Sequence, residues 1–452
     1  MMKRIDAALD RADGALRAWL MGGRIPGWLL ELLTFAAFFA LMMTRTLTQL
    51  AGASMGCRML TVFVLCLPLA VMLRFAGRIA RAHDGGALMR LAAYALCATA
   101  MLARVSFIER SSGDYDIYLA NWIDKLAAGS FSAGMRANVG EYNVLYQYIL
   151  FLITRLPVPP LYAVKAVSFI GDAFLAGACA RLAARDGKDS IAAFAAILLL
   201  PSIALNGGMF TQCDSLYAAC ALWGLALAIG HKPMRAAACF ALSLAFKLQS
   251  AFILPMVAVL WANRRFKLRD AFVFLLTLIA VALPALAGGK TIGGILSIYT
   301  AQTGLYTGLT YNAASFFGLM DTTGLDVYAY GNFGMAMAFG ACAVIVYLGV
   351  RSGENTTDDR YVQLALLMVL LVVFLLPRMH ERYFYLATPL SLALACRRGG
   401  KLIPAAAMIE LATLSAYWEI WPLPFASLLM LGAIVLVLMG EKPVCGTREN
   451  VL

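Results

Sequence analysis

The sequence predicts an all-α polytopic membrane protein with about fourteen transmembrane helices, and three observations carry that reading. Of the 452 residues, 62% are apolar and 14% charged, where an ordinary soluble domain has about 25% charged residues. Apolar runs recur from one end of the chain to the other with no polar domain between them, which excludes a water-soluble enzyme. The basic residues gather in short connections between those runs, where they orient membrane helices. The net charge of +12, from 37 Lys and Arg against 25 Asp and Glu, therefore speaks for topology rather than for nucleic acid. The ten cysteines are scattered and form neither a CxxC pair nor a disulfide framework, so they say nothing about compartment.

Taken in order, residues 1–27 hold five basic groups in an amphipathic pattern and read as a cytoplasmic interfacial helix. A cleaved signal peptide fits less well, because the apolar run 28–44 is long for a signal core and lacks a clear small-residue cleavage site. Residues 28–452 then form a single polytopic membrane domain. Its apolar segments fall near 28–44, 59–75, 88–108, 160–183, 189–205, 212–230, 234–246, 249–262, 270–287, 331–350, 361–377, 383–396, 402–419 and 421–440. Several are shorter than the roughly 20 residues a crossing needs, so their ends extend into polar flanks.

Residues 142–156 decide the topology of everything after them. The segment is apolar but short, and Pro157, Pro159 and Pro160 follow it closely. If it does not cross, sixteen downstream Lys and Arg, in clusters such as 264–269 and 397–401, share the N-terminal side. Lys247, Lys290, Arg378 and Arg382 then lie outside. A crossing would reverse that ratio against the positive-inside rule. The segment is therefore expected to lie along or dip into the outer face. It ends an extracytoplasmic first loop, 109–159, with juxtamembrane helices; a second extracytoplasmic loop spans 288–330.

On that topology four polar stretches converge on the outer face: 111–129 with Asp114 and Asp116, 206–217 with Gln212 and Asp214, 246–249 with Lys247 and Gln249, and 378–385 with His380, Glu381, Arg382 and Tyr383. The loop 288–330 adds Tyr299, Gln302 and Asn312. Ionisable groups at membrane depth cost about 2.5 to 3.5 kcal/mol each, so they are kept for a partner or a task. Asp114 reads either as a helix N-cap or as a general base for a hydroxyl. Lys247 either snorkels to the interface or meets a lipid phosphate. Lys165 and Asp172, two turns apart on one helix, could be linked as an ion pair through a neighbour. Three histidines, two of them in cytoplasmic loops, make a poor metal site. GGK at 288–290 lacks the spacing of a nucleotide-binding loop. No cofactor is called for, with divalent metal left open.

An ordered set of motifs resembles a family. Gly113-Asp114-Tyr115 with Trp122, Gln212-Cys213-Asp214-Ser215, Phe246-Lys247-Leu248-Gln249, Tyr299 with Gln302 and Asn312, and Met379-His380-Glu381-Arg382-Tyr383 look like bacterial GT-C glycosyltransferases related to the mannosyltransferase that adds the second mannose of GPI anchors. A more distant likeness is to the dolichyl-phosphate-glucose-dependent glucosyltransferases. The resemblance spans about 104–396. Where relatives often carry Tyr-x-Pro-Pro-Tyr, this chain reads Tyr142-Asn143-Val144-Leu145-Tyr146, and Phe210-Thr211 stands where many have Trp-Gly.

The resemblance implies a GT-C-like fold and an inverting transferase that uses a polyprenyl-phosphate sugar on the extracytoplasmic face of the inner or plasma membrane. The sugar is mannose or another hexose, and the acceptor a hydroxyl on a glycolipid, glycan or protein. Asp114 matches the family's proposed base. Donor phosphate is expected at Lys247, His380 and Arg382. Sugar or acceptor contacts are expected from Asp116, Tyr142, Asn143, Lys165, Gln212, Asp214, Gln249, Gln302, Asn312, Glu381 and Tyr383. The rival from another class is a transporter or flippase of a lipid-linked sugar, for which the sequence shows no internal repeat.

Overall fold

Six helices in the computed structural model are long and apolar enough to cross a membrane, or seven if one bent pair counts as a span; five further apolar helices have 10–17 residues. The structure describes residues 26–137, 139–304, 306–400 and 402–440, together with Arg11 and Gly14. The interfacial helix expected over 1–27 falls almost wholly outside them. Mostly helical and rich in apolar helices, the chain has the make-up of a multi-pass membrane protein. One apolar stretch is bent in two and several others form helices of only 10–17 residues, so far fewer than fourteen helices reach spanning length. The chain divides into two compact units, residues 1–307 and 308–452.

The first unit opens with α1 (Gly27–Gln49), α2 (Met55–Ala82) and α3 (Ala87–Val105), which pack on one another. Ser54 caps α2 by accepting from Cys57 N. The 106–159 connection holds a π-helical turn (Tyr115–Leu119), α4 (Ala120–Ala127), α5 (Phe131–Arg136) and α6 (Val144–Ile153). Ten residues of α6 rise about 15 Å, half of a bilayer's hydrocarbon thickness.

Next comes α7 (Pro160–Leu182), buried along most of its length and started by a proline at its first position. Gly177 lets α2 approach, since a Cβ there would lie 2.5 Å from the Phe75 ring. Phe75 in turn meets Phe174, Phe194 and Trp223. Then follow α8 (Ile191–Leu199) and α9 (Pro201–Gly208), bent by 49° at their junction, where Pro201 has no N–H with which to continue the ladder. The unit is completed by α10 (Asp214–Ile229), α11 (Pro233–Phe246), α12 (Met256–Ala262), α13 (Leu268–Ala287) and α14 (Ile292–Gly304).

The ion pair considered for Lys165 and Asp172 is not formed. Asp172 accepts from Arg104 Nε at 2.7 Å, both side chains being fully buried. Arg104 Nη1 also reaches Leu198 O at 2.7 Å, a carbonyl that the bend leaves without its usual helical donor. An arginine in the last turn of α3 thus holds the broken α8–α9 element and α7 together. Removing one partner of such a buried pair costs about 3 to 5 kcal/mol.

In the second unit β1 (Thr310–Tyr311) and β2 (Met379–His380) form a short parallel pair. Around it lie α15 (Val327–Ser352), α16 (Asp358–Leu375), α17 (Ala387–Arg398), α18 (Leu402–Trp418) and α19 (Leu423–Met439). Asp326 caps α15 and Thr357 caps α16. Arg397 and Arg398 at the end of α17 both pair with Asp359 in the first turn of α16, fixing that helix pair.

Candidate active site

The first unit places Asp114, Gln212 and Tyr142 in one hydrogen-bonded line. Gln212 Nε2 donates to Asp114 Oδ2 at 3.0 Å, and the Tyr142 hydroxyl donates to Gln212 Oε1 at 3.3 Å. The line depends on the turn between α9 and α10, where Thr211 takes a φ of 56°. That turn is anchored three times. Gln212 N donates to Asn206 O at 2.9 Å, Ser168 Oγ of α7 donates to Gln212 O at 2.8 Å, and Ser112 Oγ of the first loop donates to Phe210 O at 2.7 Å. Asp114 is itself helical and makes no side-chain cap bond, so the capping reading gives way to a carboxylate held by an amide.

Two residues on, Asp214 opens α10 with Oδ1 on Lys247 Nζ and Oδ2 accepting from Asn206 Nδ2 at 3.0 Å. Lys247 sits at a break: its backbone is extended between the end of α11 and a 3₁₀ turn, Leu248–Phe252. Its ammonium is buried rather than snorkelled and lies 5.5 Å from the centre of the Tyr142 ring, within cation–π range. Gln249 follows in the 3₁₀ turn, and its Oε1 is buried without a hydrogen-bond partner among the described residues.

Tyr142 and Asn143 are fastened from several sides. Gln147 Nε2 donates to Tyr142 O at 2.7 Å, and Asn143 Nδ2 donates to Leu244 O at 2.9 Å. Gln302 Nε2 reaches Glu141 O at 2.7 Å and Asn143 Oδ1 at 3.1 Å. Asn143 and Gln302 therefore shape the site through the backbone around Tyr142. Lys165 has a similar part: its buried ammonium donates to the carbonyls of Phe107 and Ile108, at 2.6 and 3.2 Å, and to that of Arg110. It ties down the entry to the first loop, as a cation at a helix C-terminus can. Asp116 is exposed and accepts from Ser111 Oγ at 2.9 Å. Tyr115 is pushed up to about 12 by burial, with the charges of Asp116 and Asp124 adding, so its phenol keeps its proton.

Sequence reasoning named Trp122 but missed its seat. Gly140 has a φ of 79°, and a Cβ there would lie 2.0 Å from the indole, so the backbone lies flat against that ring. Gly140→Ala is expected to lower the thermal midpoint and shift tryptophan emission; an unchanged midpoint and spectrum would show that the contact is slack. Asn206 lies in the polar stretch 206–217 but was not named as a site residue; Ser168 was also missed and carries no signal in sequence. Arg104 did carry one, as a charge inside an apolar span.

The second unit holds the other cluster. Tyr311 stacks on His380 with ring centres 4.9 Å apart, and Tyr383 meets the same imidazole at 5.2 Å. Glu381 accepts from Arg382 Nη1 at 3.1 Å and stands 3.7 Å from His380 Nδ1. Burial raises the Glu381 carboxyl, but the His380 hydrogen bond and the Arg382 charge outweigh it and bring it below its ordinary value. Asn312 donates to Ala416 O at 2.6 Å, a structural bond to α18 rather than a free amide. Among the described residues no three His, Cys, Asp or Glu side chains gather as metal ligands.

This is the setting for one similarity to known proteins. Residues 142–263 match the family model described as Alpha-(1->6)-mannopyranosyltransferase, N-terminal domain. The matched stretch takes in Tyr142, Asn143, Lys165, Gln212, Asp214, Lys247 and Gln249, and leaves Asp114 and the cluster at 380–383 outside it. No curated protein gives a match. The mannosyltransferase match supports glycosyltransferase activity, and with it a sugar donor, an acceptor and association with the membrane.

Proposed function

We propose that the chain is an inverting transferase that moves a mannosyl residue from a polyprenyl-phosphate carrier to a hydroxyl acceptor on the extracytoplasmic face of the inner or plasma membrane. The observation that carries this is the carboxylate of Asp114 held by Gln212 in one line with Tyr142, beside the Lys247–Asp214 pair. Asp114 takes the proton of the acceptor hydroxyl as that oxygen attacks the anomeric carbon. A carboxylate with a reference pKa near 3.9 is a weak base for an alcohol, so the proton moves late, when the new bond is well advanced. The lipid phosphate leaves from the opposite face as an anion. One hydrogen of the Lys247 ammonium is committed to Asp214, which leaves two for a phosphate oxygen. Gln249 Oε1 is suited to a sugar hydroxyl. His380 and Arg382 remain proposed phosphate contacts, with Glu381 orienting the guanidinium.

The bend between α8 and α9 and the break at Lys247 also suit a transporter, since interrupted helices line transport sites. Incubation of the purified protein with a panel of polyprenyl-phosphate sugars and native lipid extract separates the two readings. A mass-shifted glycosylated product is expected; movement of intact carrier across vesicles without such a product would favour transport.

The fourteen-crossing topology is part of the same proposal. In a variant freed of its ten native cysteines, Ala137→Cys is expected to react with an impermeant thiol reagent on intact cells, and Asn355→Cys to be shielded. Both positions are exposed. The opposite labelling pattern would put Asp114 on the cytoplasmic side and remove lipid-linked donors from the proposal.

A further inference from the structure

Beside Asp114 lies a file of aromatic rings of which the transfer chemistry uses only Tyr142. Ala120 N–H reaches back five residues to Tyr115 O, which defines the π-helical turn. Such a turn is wider than an α-helical one, so it brings round residues four and five apart; in α4 beyond it, residues three and four apart align. The two drifts oppose each other, and Asp114, Tyr118 and Trp122, spaced by four, come to share one side of the element. The rings then continue inward, 6.3 Å from Tyr118 to Trp122, 5.5 Å edge-on from Trp122 to Tyr142, and 4.8 Å from Tyr142 to Tyr146. Exposure falls along the file from 53% at Tyr118 to 1% at Tyr146.

We propose that Tyr118 and Trp122 form the acceptor subsite, where a saccharide acceptor lies with a pyranose face on these rings and one hydroxyl at Asp114. A pyranose matches the file because its C–H face is apolar and its rim is polar, as the rings and the carboxylate are in turn. An acyl chain gains nothing from the carboxylate at the head of the file. The proposal rests on the transferase reading and adds to it the residues that seat the acceptor.

Equilibrium binding of methyl mannobioside to the full-length protein in lipid nanodiscs tests it without any donor, so absence of turnover would strike the transferase reading alone. Tyr118→Ala is expected to weaken binding about tenfold and Tyr118→Phe less than twofold, with thermal midpoints unchanged. Binding of 1-hexanol should be the same in all three proteins. Unchanged saccharide affinity in Tyr118→Ala overturns the subsite, and so does failure of the unaltered protein to bind either the manno- or the glucobioside. Parallel loss of hexanol binding would instead assign Tyr118 to the lipid interface.

Discussion

Asp114→Asn is expected to lower transfer by about 10²-fold or more, the usual worth of a general base, while leaving the fold and donor binding in place. The reason lies in its partner: Gln212 donates to Asp114 Oδ2, and an asparagine carbonyl can accept the same bond at the same place. The substitution therefore removes proton acceptance while keeping this bond. Asp116→Asn is the control, because its carboxylate is exposed and bonds only locally to Ser111 Oγ; its effect should be several-fold at most. Turnover, donor binding and thermal stability measured on both variants in one lipid decide the matter. Full activity of Asp114→Asn would sink the mechanism, and a well-folded but inactive Asp116→Asn beside it would move the base by two residues.

Lys247→Met carries the second large effect, and the geometry makes it two effects. Loss of a charge-assisted bond to phosphate is worth about 1.5 to 3 kcal/mol, or roughly ten- to a hundredfold or more in rate constant. The substitution also strands Asp214, which is buried with Asn206 as its remaining neutral partner, and a stranded buried charge costs about 3 to 5 kcal/mol of stability. The double variant Lys247→Met/Asp214→Asn removes both charges together and should recover most of the stability without recovering turnover. Recovery of both would show that Lys247 serves only to neutralise Asp214.

Much of the helical content could be read from the chain because burial and lipid exposure impose long apolar runs, and helices stand at every one of the apolar segments expected. The run 189–205 reads as one segment, whereas the structure bends it by 49° at Pro201, whose missing N–H is the reason. The interruption at Lys247 was legible, as a polar stretch between the runs 234–246 and 249–262, but the partner of its ammonium was not, since Asp214 lies far away in sequence. The same holds for the amide of Gln212 on Asp114, a contact across 98 residues. Lys165 and Asp172 shared a helix and invited a pairing. Tertiary partners won: three backbone carbonyls for the lysine and Arg104 for the aspartate. Motif residues could be named in order, but which of them touch and which merely support the backbone is decided by the turns between α9 and α10 and after α11. Asn312 shows the cost of reading a motif as a site, for its amide is spent on a neighbouring helix.

The grip of Lys165 on the carbonyls of Phe107, Ile108 and Arg110 also says where the first loop is fixed. An ammonium has three hydrogens, and each of these has a carbonyl, so the stretch just before Asp114 is riveted to α7. The far limb of the loop is held as well, since Lys290 Nζ donates to Met135 O of α5 at 3.3 Å. Asp114 stands four residues after Arg110, the last carbonyl in that grip. The loop is therefore pinned on either side of Asp114, and the carboxylate is presented from a frame fixed at both ends.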